Sequence, residues 1–71
     1  SMADKHAAAQ TITVIERMDR RPAHGDLLLE LRRVVQRVRQ ACPFLEGYEL
    51  ADVHIGPAGP DLRGILAFAR R

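Results

Sequence analysis

His6, His24, His54 and Cys42 are the residue types from which a transition-metal site is built. Zinc ligands come in close pairs or converge through the fold, and none of these residues is spaced as such a pair. His6 falls near the N-terminus, His24 in a turn and Cys42 on an apolar stripe, so they read as surface histidines and a core thiol with no metal. A buried thiol without a cationic neighbour is a poor nucleophile, which removes Cys42 as a catalytic centre. Acid–base chemistry would need paired carboxylates, and the candidates are Glu46, Glu49 and Asp52. Glu46 and Glu49 differ by three positions and point to opposite faces of a strand. Asp52 shares the parity of Glu46 but lies too far along to act on the same bond, unless a bulge intervenes. Gly56-Pro57-Ala58-Gly59-Pro60 has the glycines of a phosphate loop, yet it lacks the Lys-Ser/Thr and the following helix that such a loop requires. Its prolines also remove amide donors. No catalytic residue is expected, and the chain reads as a non-enzyme.

Binding chemistry is better represented. Ten of the eleven basic residues are arginine and the formal net charge is +2. On a helix, Arg32 and Arg39 would share one flank of the polar face and Arg33 and Arg37 the other, with Glu30 the single acid among them. Such a face can meet phosphates or an acidic partner. Charged polar faces are also the ordinary solvated side of a surface helix, and no aromatic residues interleave to stack on bases. Nucleic-acid binding is therefore the alternative reading. Tyr48, the single tyrosine, is the candidate ligand-stacking residue; as a core-rim side chain it would instead keep its hydroxyl in water.

The elements that must position these residues follow from periodicity and breakers. Residues 1–10 read as a flexible arm, Ser1 being a remnant ahead of the natural start at Met2, and residues 11–71 as one domain. Thr11 to Met18 is dense in β-branched residues and reads as a strand, with Ile12, Val14 and Met18 on one face and Thr13, Ile15 and Arg17 on the other; a helix continuing from Ala7 is the competing assignment. Pro22 and Gly25 break the chain, and Asp26 stands where an N-cap belongs. From Leu27 to Ala41, Leu27, Leu28, Leu31, Val34, Val35, Val38 and Ala41 fall, together with Cys42, within an arc of about 140° at 100° per residue. Leu29 is stranded on the polar side, and Pro43 ends the helix. Tyr48 to Ile55 and Leu62 to Ala69 read as a hairpin around a turn-rich loop. Tyr48 and Leu50 have the opposite parity to Val53 and Ile55, so a bulge near Ala51-Asp52 is needed to restore a common face.

The expected fold is α+β, a β-α-β-β chain forming a three-stranded antiparallel sheet with one amphipathic helix packed on one face. That helix leaves Ile15, Ile65, Ala67 and Ala69 on the other face. A domain of 71 residues with one cysteine is near the lower limit for a self-sufficient core and cannot form an intrachain disulfide. A second copy covering the open face is the expected remedy, with these four residues as the oligomer interface.

The order strand-helix-strand-strand over residues 12–69 resembles that of the dodecins, small proteins that assemble into hollow dodecamers and bind flavins or related ligands. Val14-Ile15-Glu16, the turn from Pro22 to Asp26, the long helix and Glu46-Gly47-Tyr48-Glu49-Leu50 carry the likeness. The resemblance implies a homo-oligomer. Gly47 stands where that family has its flavin-stacking tryptophan, and the chain has no Trp, so no cofactor is expected beyond a flavin implied by the resemblance itself. The same element order is similar to that of the dimeric regulatory half of the division-site factor MinE.

The sequence thus points to a small self-associating domain that binds a small molecule or a protein partner through its oligomer. A basic nucleic-acid module, or a partner-binding regulatory domain cut from a larger protein, is the alternative. No apolar run reaches the length of a membrane span, no secretory signal is visible, and the lone cysteine fits a reducing compartment; a cytoplasmic protein without membrane contact is expected.

Overall fold

The computed structural model describes residues 10–22 and 25–71. His6 and His24, and all of the N-terminal arm except Gln10, lie outside the described residues. The order is β1 (Thr11–Met18), α1 (Leu27–Ala41), a 3-10 turn (Pro43–Gly47), β2 (Tyr48–Ala58) and β3 (Asp61–Arg70). The three strands form one antiparallel sheet in the order β1-β3-β2. The α+β architecture, with one helix among the described residues, is the one the hydrophobic patterning predicts.

Each boundary has a local cause. Residues Thr11 to Met18 are a strand and not a helix: alternation places Ile12, Val14 and Met18 toward α1 and exposes Thr11, Thr13, Ile15 and Arg17. At the start of α1, the Asp26 carboxylate accepts from the backbone N–H of Leu28 at 2.9 Å and, more weakly, of Leu29 at 3.4 Å. It thereby satisfies amides that have no partner within the helix. Gly25 just ahead has φ +70°, a left-handed conformation in which Cβ would be strained. At the far end Pro43 stops the helix, and Cys42 closes it by donating its N–H to the Val38 carbonyl at 2.9 Å. Pro43 then opens a 3-10 turn that sequence periodicity does not reveal. That turn inserts Leu45 fully into the core.

β2 extends past Ile55 to Ala58, through the segment expected to be loop, so the connection to β3 shrinks to Gly59-Pro60. Pro57 is tolerated because β2 is an edge strand and no neighbour needs its N–H. Gly59, at φ +61°, occupies the first central position of this two-residue turn, where positive φ is required. The expected bulge is present: Leu50 pairs with Phe68 and Asp52 with Ala67, leaving Ala51 unpaired. The extra residue brings Tyr48, Leu50, Val53 and Ile55 to the helix side of the sheet.

The core contains Met18, Val34, Val38, Leu45, Tyr48, Leu66 and Phe68, with Ile12, Val14, Leu31, Val35, Leu50, Val53, Ile55 and Leu62 around it. Gly64 belongs to this packing, since a Cβ there would lie 2.8 Å from the Met18 sulfur. The helix uses its apolar stripe unevenly. Val34 and Val38 are buried, whereas Leu27 and Leu28, counted by angle on the same stripe, are exposed, Leu28 by 58%. Cys42 is half-buried at the helix end.

Candidate functional site

β3 is the central strand, and its odd-numbered residues build the surface opposite the helix. Register places Ile15 directly beside Ile65, Thr13 beside Ala67, Thr11 beside Ala69 and Arg17 beside Arg63. On the other flank, His54 stands beside Ile65, Asp52 beside Ala67 and Glu49 beside Ala69. The four residues expected at an oligomer interface, Ile15, Ile65, Ala67 and Ala69, therefore share one face, and no element among the described residues covers it. Ile15 is 60% exposed. Ile65, Ala67 and Ala69 are half-buried, their sides shielded by the neighbouring strands. Toward the hairpin end the face dips into a shallow concavity of about 330 Å³ lined in part by Ile15, Arg17, Ala58 and Arg63.

The four helix arginines separate into two pairs. Arg39 is half-buried and donates through Nη1 to the carbonyls of Leu45 and Tyr48, 3.2 Å each. Its guanidinium also lies 5.2 Å from the Phe68 ring centre, a cation–π distance. Arg37 turns the other way and meets Glu16 of β1 at 3.5 Å. Arg32 and Arg33 are exposed on opposite flanks. Two of the four cations thus have intrachain roles, and the set is not one continuous basic patch.

Tyr48 is 7% exposed and belongs to the core. Arg70 Nη1 donates to its hydroxyl at 3.4 Å, and the same guanidinium lies 5.6 Å from the ring centre. One ring face is therefore occupied within the chain.

A second apolar surface lies on the helix side, where sequence periodicity alone expects only core. Leu28, Leu31, Val35 and Leu50 line a groove of about 400 Å³ between α1 and the β2 edge, with Arg32, Gln36 and Arg39 along it. Leu27, Leu29 and Phe44 add exposed apolar surface on α1 and the 3-10 turn. Periodicity puts Leu27 and Leu28 on the apolar stripe but does not report that they stay exposed.

No protein-family model, curated protein or solved structure matches this chain. The functional reading therefore rests on the surface itself. Among the described residues, no three His, Cys, Asp or Glu side chains gather as metal ligands, and no helix is long and apolar enough to cross a membrane. The carboxylates considered for acid–base chemistry are divided: Glu49 and Asp52 lie on the open face of β2, and Glu46 is in the 3-10 turn.

Proposed function

We propose that this chain is a non-enzymatic assembly domain that associates with copies of itself through the open sheet face and engages a small molecule or a protein partner in the assembled form. The observation that carries this reading is Ile15. It is a large β-branched side chain, 60% exposed, midway along edge strand β1 on a face it shares with Ile65, Ala67 and Ala69. Burying such a side chain contributes about 1.5–3 kcal/mol, and a two-fold contact counts it twice. A chain of this size has little stability to spare, so covering this surface is the most direct gain open to it. The resemblance to dodecins, which also self-associate, points the same way.

Native mass spectrometry of the purified chain tests both halves of the proposal in one spectrum. The expected result is a discrete oligomer at micromolar concentration, with any retained small molecule visible as added mass. A monomer across the accessible concentration range would overturn it.

A further inference from the structure

The open face is sorted by charge along its length. At the hairpin end, Arg17 and Arg63 are direct cross-strand neighbours, and like charges in that position repel. At the opposite end, Glu49 stands beside Ala69, and Asp52 one pair further in beside Ala67. The six residue steps along β3 from Arg63 to Ala69 separate the two ends by roughly 20 Å at 3.4 Å per step. Between them lies the apolar centre formed by Ile15, Ile65 and Ala67. Asp61 lies on the same face at the hairpin end and pairs with Arg17 at 3.4 Å, so that end carries two arginines against one carboxylate; the Arg17 side chain is still largely in solvent. Arg63, Glu49 and Asp52 take part in no ion pair among the described residues.

From this layout we infer that the occupant of the face is a second copy of the chain, stacked so that its strands run opposite to those of the first. The inference rests on the self-association reading and specifies its geometry. A two-fold axis lying in the interface and crossing the strands near Ile65 and Ala67 places the Arg17/Arg63 end of each copy over the Glu49/Asp52 end of the other. Each complementary contact then occurs twice, as an isologous interface requires. The alternative two-fold, along the strands, sets Arg63 against Arg63 and gathers the carboxylates of both copies at the same end. That repulsion selects against it. Packing of two twisted sheets at about −30° keeps the ends in opposition.

Charge reversal distinguishes the two stackings. Dissociation constants would be measured by sedimentation equilibrium at low and high salt for the wild type, Arg63→Glu, Glu49→Arg and the combined variant, with circular dichroism confirming that each folds. Both positions are exposed, so the fold is expected to survive. Each single reversal should weaken the dimer at least about tenfold at low salt, and the combined variant should recover most of that loss. If the wild type associates but Arg63→Glu leaves the constant unchanged or tightens it, the opposed-strand geometry is overturned while self-association stands. If the wild type is monomeric, both fall together.

Discussion

Single side chains here do more structural than chemical work, and Arg39 shows it best. Its position on the polar arc of α1 suggests a polyanion contact, yet its guanidinium bridges the carbonyls of Leu45 and Tyr48 and stacks on Phe68. It fastens the helix to the 3-10 turn and to the start of β2. Replacing it with alanine should cost about 1.5–3 kcal/mol, the range for hydrogen bonds from a charged donor, read as a lower midpoint in denaturant. If stability were unchanged, the bridging role would be refuted. Asp26 is the other residue with a defined local task. Asp26→Ala removes the acceptor for the Leu28 and Leu29 amides and should cost about 1 kcal/mol, seen in the same denaturation experiment. The cap was legible from residue type because Asp ahead of an apolar-periodic run has few other uses. The capture of Arg39 was not legible, since its acceptors are backbone carbonyls that only the unforeseen 3-10 turn brings within reach.

Among the elements, α1 and the bulge were readable because periodicity reports directly on which face is buried. The stripe from Leu27 and the Pro43 stop fix the helix at Leu27–Ala41. The parity conflict between Tyr48/Leu50 and Val53/Ile55 places the bulge where the register shifts. Deleting Ala51 would close the ladder and leave Tyr48, Leu50, Val53 and Ile55 at alternate positions on the helix side, because Ala51 is the one extra residue that the bulge absorbs. The deletion variant should therefore stay folded, at a cost well below the several kcal/mol of emptying a large core position. Thermal unfolding followed by circular dichroism measures it, and a collapsed midpoint would show that the bulge itself holds this edge of the sheet in place. The extension of β2 through Gly56 and Pro57 was hidden, because both residues ordinarily mark a loop. What makes them acceptable is the position of β2 at the sheet edge, a property of strand order that local sequence does not encode. The overhang of Leu27 and Leu28 is a similar case: periodicity gives the direction a residue faces, not whether the sheet extends far enough to meet it.

At the scale of the whole molecule, the two layers leave apolar surface on both outer sides, at the open sheet face and along the α1–β2 groove. The sheet face was legible because β3 alternates apolar residues to both sides, and a single helix can cover only one. The sorting of its charges was not, because the register that aligns Arg17 with Arg63 and sets Glu49 at the other end is a consequence of pairing. If the face is shared between copies, the unfolding temperature should rise with chain concentration, since association stabilises the folded state by mass action. A midpoint independent of concentration over a hundredfold range would argue against it.

The most direct test of the central claim is sedimentation equilibrium of the wild type beside Ile15→Lys. The substitution sets a charge beside Ile65 on the apolar part of the face, at a position outside the buried core. The wild type should associate at micromolar concentration, and Ile15→Lys should keep the wild-type circular dichroism spectrum while its dissociation constant rises at least about a hundredfold, as expected from losing two buried isoleucine side chains per dimer. A monomeric wild type, or an Ile15→Lys variant that associates as tightly as the parent, would contradict the assignment of the open sheet face as the surface through which this domain assembles.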